Sequence, residues 1–203
     1  MPSRIRDRGM AFLRSTSAGD TGPVLHTARL TLRLPTSSDY VHWAELRAES
    51  RAFLVPWEPA WTRDELSRSA FRRRIRHYQQ ELRDETGYAF FLFARDGGEL
   101  IGGLSLAHVR RGVTQSCAIG YWTGVRHART GYMSEAVAGA MPFVFETLKL
   151  NRVEAACLPR NAASIRVLEK NRFQREGLAK KYLKINGVWQ DHILFALLRD
   201  EWR

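Results

Sequence analysis

The sequence predicts a mixed α/β domain around one, mostly antiparallel sheet, and three observations carry that prediction. Apolar residues recur at helical spacing up to about Glu85, then switch to strand-like alternation between Tyr88 and Trp122. Two later segments, Ile119 to Ser134 and Arg152 to Lys170, each read as a strand that passes through a loop into a helix. Near the C-terminus, Asn186-Gly187 separates two strand-like runs, the strongest short hairpin signal.

In chain order, the first 25 residues are rich in Arg, Ser, Gly and Thr, with Arg4, Arg6, Arg8 and Arg14 scattered among them. They lack the apolar core of a secretory signal and read as a flexible basic tail, with Met10 as an alternative start. Order is expected from about His26, giving a domain over residues 26–203. Arg29 to Leu34 alternates like an edge strand that Pro35 ends. Thr36 and Asp39 form a capping-box pattern, opening a helix from about Ser37 to Ser50 with Tyr40, Trp43 and Leu46 inward. A second helix fits Arg63 to Glu85 through Leu66, Ala70, Ile75, Tyr78 and Leu82. Its Arg68, Arg72, Arg73 and Arg76 read first as a solvated face. Tyr88 to Ala94, Leu100 to His108 and Ser116 to Trp122 form a meander. A helix from about Tyr132 to Leu148 follows, with Pro142 predicting a kink because it removes a backbone donor. The strand Arg152 to Leu158, a helix over Ala162 to Lys170, and the hairpin strands Leu178 to Ile185 and Val188 to Leu197 complete the order.

Composition narrows the function classes. The 203 residues are 44% hydrophobic and 26% charged, which excludes a wholly disordered or collagen-like chain. No run reaches the apolar length of a membrane-spanning helix. Two cysteines, Cys117 and Cys157, lie in apolar runs without metal-ligand spacing. They fit buried packing in a reducing, cytoplasmic setting, with neither a disulfide framework nor a metal. The net charge of +11 points to an anionic partner without choosing among nucleic acid, ribosome, membrane and phosphorylated cofactor.

The loop Arg126-His127-Ala128-Arg129-Thr130-Gly131 opens directly into a helix at Tyr132-Met133-Ser134. A helix start carries unpaired N–H groups and the positive end of the dipole, so this is an anion site by construction. Gly131 permits close approach or a positive φ, and Arg126 and Arg129 add charge. After the next strand, Asn161 reads as a helix N-cap, with Ser164 in the first turn. Two parallel strands, each followed by a helix, bring both helix starts to one end of the sheet, where a ligand can meet both.

These segments resemble the GNAT superfamily of acetyl-CoA-dependent N-acetyltransferases, and the resemblance covers nearly the whole chain from about His26. Within it the chain is most similar to RimJ-type ribosomal-protein alanine N-acetyltransferases. The residues that carry this are Phe53 to Pro59, Val109 to Gly112, Gly120 to Ala136, Asn161 to Phe173 and Tyr182 to His192. The resemblance implies a mixed, mostly antiparallel sheet with helices on both faces and acetyl-CoA as cofactor. Arg126, His127, Ala128, Arg129, Thr130, Gly131, Tyr132, Met133 and Ser134 would cradle its diphosphate. A bulged strand, Ile119, Gly120, Tyr121 and Trp122, would bind the pantetheine arm and polarise the thioester carbonyl. Asn161 and Ser164 would contact the coenzyme, and Lys170 and Arg172 would flank its phosphates. Ala128 and Arg129 depart from the family's usual loop, which puts coenzyme affinity in question.

The implied reaction is direct attack by a neutral amine on the thioester, with coenzyme A released. Ser164 is the favoured acid, Tyr182 its rival, and Glu58 and His108 are candidate bases. Trp57, Glu58, His108, Tyr182 and Trp189 are expected to bind the acceptor. The leading acceptor is the N-terminal alanine of a ribosomal protein, and the surplus positive charge is compatible with ribosome association. Two alternatives stand beside it. A polyamine, antibiotic or amino-acid acetyltransferase would be marked by an acidic pocket, and an inactive RNA-binding module by salt-dependent binding without coenzyme.

Overall fold

A computed structural model of the chain describes residues 22–202. Of the tail expected over residues 1–25, the first 21, with the alternative start at Met10, lie outside the described residues, while Leu25 is already buried in the first strand. Eight strands form one sheet in the order β1-β2-β3-β4-β5-β6-β8-β7. β1 (Leu25–His26) and β2 (Leu30–Arg33) lead into α1 (Tyr40–Glu49), the single turn α2 (Arg51–Leu54) and α3 (Arg68–Arg83). The meander follows as β3 (Tyr88–Ala94), β4 (Leu100–Arg110) and β5 (Ser116–Thr123). Then come α4 (Tyr132–Pro142), β6 (Arg152–Cys157), α5 (Ala162–Lys170), β7 (Gln174–Ile185) and β8 (Val188–Leu198). Every neighbouring pair is antiparallel except β5 and β6, which run parallel.

The pattern of β3 shows why both faces are covered. Phe90 and Leu92 belong to the core under α4, while Phe91 belongs to a second cluster with Trp43, Leu46, Phe71 and Ile75 of α1 and α3. A strand buried on both sides loses its polar alternation, and β3 is accordingly Tyr-Ala-Phe-Phe-Leu-Phe-Ala.

Four boundaries differ from the sequence-based expectations, each for a local reason. β2 is not the edge of the sheet, because Leu25 and His26 pair with Leu32 and Thr31. α3 begins at Arg68 rather than Arg63, since Ser67 caps it by accepting from the Ala70 N–H at 3.1 Å. The preceding turn sends Asp64 and Glu65 back onto Arg73 and Arg74, at 2.6 and 2.7 Å. β7 begins at Gln174, its alternation broken by register shifts at Arg175/Gly177 and Ala179/Leu183. Pro142 does interrupt its helix. From Phe143 to Thr147 the chain winds as a π-helix, and Leu148 donates to the Phe143 carbonyl five residues back, at 2.8 Å.

Candidate active site

β5 and β6 pair only over Ser116–Arg152, Cys117–Val153 and Ala118–Glu154, then part. Past Ala118 the β6-facing edge of β5 is therefore open, which leaves backbone polar groups of Ile119 to Trp122 for a ligand. The expected bulge is not in this segment. β5 pairs with β4 without interruption from Ala118 to Thr123, and the register shift lies at Ala107/Arg110 instead. There two residues of β4, His108 and Val109, oppose one of β5, and His108 takes φ +52°. His108 is thus an exposed bulge residue at the far end of β5, and the structure does not bring it to the site.

At the near end the chain forms an anion cradle. Arg129 (φ +63°) and Gly131 (φ +85°) both take left-handed conformations, so the backbone turns sharply twice before the helix. Among the described residues no protein group accepts from the N–H groups of Arg129 to Ser134. The bonds begin again with Glu135 N–H to Gly131 O, at 3.0 Å. Six consecutive backbone N–H groups without a protein acceptor at a helix start are donors of the kind a diphosphate accepts from, and none of them depends on the side chains of Ala128 and Arg129.

The clamp that holds this loop includes residues the sequence reading missed. Glu135 accepts from the Thr27 hydroxyl (2.6 Å) and the Arg29 N–H (2.7 Å), and its other oxygen takes Arg29 Nε at 2.6 Å. Arg29 also donates to Thr130 O at 3.2 Å and lies 4.4 Å over the Tyr132 ring. Partial burial works against the Glu135 charge, but Thr27 and Arg29 outweigh it and hold the carboxyl below its ordinary pKa. His127 is buried, and Arg126 is drawn away by Glu49 (3.2 Å) and Glu99 (3.1 Å), so its charge is already partnered. Met133 is buried in the core. The end of α5 reaches the same place: Asn171 Nδ2 donates to Ser134 Oγ at 3.2 Å, which sets exposed Lys170 and Arg172 beside the start of α4.

At the start of α5, Asn161 accepts from the Ser164 N–H at 3.1 Å, so its visible role is the N-cap. Ser164 Oγ lies 2.9 Å from the Tyr121 hydroxyl. Burial pushes the Tyr121 phenol far above its usual range, which keeps it protonated, although its bond to Ser164 pulls the other way. Burial likewise pushes the Cys157 thiol up to about 11. The two cysteines are buried and free, as packing residues should be.

On the opposite face of β5 lies a cavity of 430 Å³. Its floor is made by what is missing: Gly103, Ser105 and Gly120 present almost no side chain toward α1 and α3. Gly103 is constrained by close approach, since a Cβ there would come 2.5 Å from Trp122 Nε1. The walls are Trp43, Trp61, Trp122 and Tyr78, with two ion pairs set among them. Arg47, 5% exposed, grips both oxygens of Glu58 at 2.7 Å, and Glu58 also accepts from Trp61 Nε1 at 2.8 Å. The Arg47 guanidinium is stacked 4.4 Å from the Trp61 ring and 5.0 Å from Trp122. Arg74 pairs with Glu65. The four charges cancel, so the pocket is not acidic.

Of the expected acceptor-binding residues, Glu58 alone lines this cavity. Trp57 stands near its rim, under Arg160 at 5.5 Å, and Asn186 N–H ties the hairpin turn to Glu58 O at 2.9 Å. Tyr182 and Trp189 are 48% and 59% exposed on the hairpin and do not line it. Arg47, Trp61 and Arg74 were not foreseen. The glycines inside predicted strands were the one sequence signal for the cavity.

Among the described residues no group of three or more His, Cys, Asp or Glu could hold a metal, and no helix is long and apolar enough to cross a membrane.

Comparison with known proteins adds a family match. Residues 29–174 match the model described as an acetyltransferase (GNAT) domain. The chain is 40% identical over 156 residues to the probable N-acetyltransferase YjcK of Bacillus subtilis, covering 77% of this chain and 86% of that one. It is 34% identical over 178 residues to the [ribosomal protein uS5]-alanine N-acetyltransferase of Escherichia coli, covering 88% and 92%. Among solved structures, Mycobacterium smegmatis RimJ in complex with CoA-disulfide superimposes with a TM-score of 0.81 at 30% identity, covering 89% of this chain and 88% of that one.

Proposed function

Because the chain belongs to the GNAT acetyltransferase family and is an acetyl-CoA-dependent N-acetyltransferase, we propose that its acceptor is the N-terminal alanine of a ribosomal protein. The relative that acts on uS5 spans nearly the whole chain, and the pocket chemistry agrees with it. The observation that carries the reading is the charge-balanced aromatic cavity against Gly120 to Trp122. Free polyamines and aminoglycosides are cations that an acidic pocket would concentrate, and here each carboxylate is neutralised by an arginine.

Acetyl-CoA supplies the activated acetyl thioester. The residues of the chain do the rest. Arg129 to Ser134 bind the diphosphate through backbone donors, and Lys170 and Arg172 add charge beside them. The open edge of β5 orients the pantetheine arm. Ser164, linked to a Tyr121 phenol that stays protonated, holds a proton for the departing sulfur. Glu58, with both oxygens engaged, fixes Arg47 and the cavity wall rather than waiting for a proton. Tyr182, half-exposed on the hairpin, has no place in this arrangement.

The test is mass spectrometry of ribosomal proteins from cells with and without the gene. One ribosomal protein beginning with alanine should lose its acetyl group in the deletion and regain it on complementation. Unchanged acetylation across the ribosomal proteins would overturn the proposed acceptor.

A further inference from the structure

The acceptor cavity contains one polar atom that the protein itself leaves unserved. Among the described residues, Arg47 Nε is the only buried side-chain nitrogen or oxygen without a hydrogen-bond partner. The two terminal nitrogens each donate to Glu58, and the guanidinium carbon lies 4.4 Å from the centre of the Trp61 ring and 5.0 Å from that of Trp122. Nε is thus the one guanidinium nitrogen with no protein partner, in a residue that lines the cavity. Buried donors are almost always satisfied, and one that is not calls for an explanation.

We infer that Arg47 Nε–H is the recognition element for the carbonyl oxygen next to the reacting amine, so that the site takes an α-aminoacyl group, such as a peptide N-terminus, and not a simple alkylamine. The inference rests on the reading of the chain as an acetyltransferase of N-terminal amines and supplies the chemical basis for it. Nε–H can only donate, so its partner must be an acceptor atom. The atom is buried and bonds no protein group, so an oxygen carried by the ligand can serve it. For a ligand oxygen to reach the atom, the stretch carrying Trp61, between the Val55–Trp57 turn and the cap of α3, would have to shift. The first carbonyl of a peptide always places an oxygen three bonds from the α-amine nitrogen, whatever the side chain. An alkylamine has none, and would leave the donor unpaired while displacing whatever else filled the cavity. The two bonds to Glu58 hold the guanidinium in place, which makes the discrimination geometric as well as electrostatic.

The test compares two short alanine-leading peptides that differ in one atom, the first peptide bond carrying oxygen in one and sulfur in the other. Thionation keeps the shape and the primary amine but weakens the hydrogen-bond acceptor. The wild-type enzyme should prefer the oxygen peptide by about tenfold in kcat/KM, most of it in KM, because a charge-assisted hydrogen bond is lost. In R47K, which keeps the charge beside Glu58 but removes the Nε–H, that preference should fall to about twofold or less. Near-UV circular dichroism shows whether R47K is folded. If it is not, the wild-type comparison decides the matter by itself. Equal use of both peptides by the wild type, a tenfold preference retained in folded R47K, or spermidine acetylated as efficiently as the peptide would each overturn the inference. A clear oxygen preference on peptides unrelated to ribosomal proteins, with no advantage for a ribosomal sequence, would support it while sinking the ribosomal acceptor.

Discussion

The two halves of this site are made of different material. The coenzyme half is mostly backbone: six unpaired N–H groups at Arg129 to Ser134 and the open edge of β5 past Ala118. The acceptor half is made of side chains, with Arg47 from α1, Glu58 and Trp61 from the loop after α2, Arg74 and Tyr78 from α3 and Trp122 from β5. A proposed cradle of this kind should accommodate Ala128 and Arg129, because backbone donors survive any substitution that keeps the φ angles. A side-chain wall offers no such tolerance. Arg47, Glu58 and Trp61 depend on one another for hydrogen bonds, so a substitution at one is felt at the other two.

The contrast predicts where each half breaks. The largest effect should come from Glu58→Gln, which leaves Arg47 buried without its counter-charge. It should cost about 3–5 kcal/mol of stability in chemical denaturation, while the folded fraction still binds coenzyme A. Gly131→Val should cost less stability, about 2 kcal/mol, because a β-branched residue is forced to φ +85°. Its damage should fall on coenzyme affinity, at least about tenfold, since the cradle turns at that residue. Tyr121→Phe removes one hydroxyl contact to Ser164 and should cost about 1 kcal/mol, lowering kcat more than it raises KM. Tyr182→Phe, the same change on the hairpin, should leave turnover unchanged, and a fall in kcat there would place the hairpin in the chemistry.

The smallest effect concerns pH. The Glu135 carboxyl is held below its ordinary pKa in the folded protein by Thr27 and Arg29, against the opposing effect of burial. Its stabilising contribution is therefore complete above the ordinary carboxylate range and is lost as pH falls through the lowered folded value. Acid unfolding followed by circular dichroism should start at higher pH in wild type than in Glu135→Gln measured relative to its own neutral-pH stability.

Legibility in the sequence follows the same division. A strand running into Arg126 to Gly131 and then into a helix is local, so the cradle could be read from spacing and helix-end physics, and its parallel partner from Arg152 to Lys170. The capping box at Thr36 and Asp39 and the break at Pro142 were local too. The acceptor wall was not. Arg47 and Glu58 are eleven residues apart on different elements, and Arg74 and Trp122 come from farther still, so nothing in periodicity shows that they meet. Arg47 itself sits at a position that a helical wheel would give to the core, beside Leu46, and its pairing with Glu58 and contacts with the Trp61 and Trp122 rings explain a buried arginine there. The same holds for Arg29 and Glu135, joined across the sheet by pairing of β2 with the rest of the domain. Arg126 shows the reverse error. Its place on the loop argued for phosphate, but Glu49 and Glu99, remote in sequence, claim it first.

Calorimetric titration of coenzyme A into wild type, Gly131→Val and Glu58→Gln tests the division most directly. Binding should be retained in Glu58→Gln, within about twofold of wild type once corrected for the folded fraction, and weakened at least about tenfold in Gly131→Val. Loss of binding in folded Glu58→Gln, or wild-type affinity in Gly131→Val, would contradict a coenzyme half built from backbone and separate from the side-chain cavity.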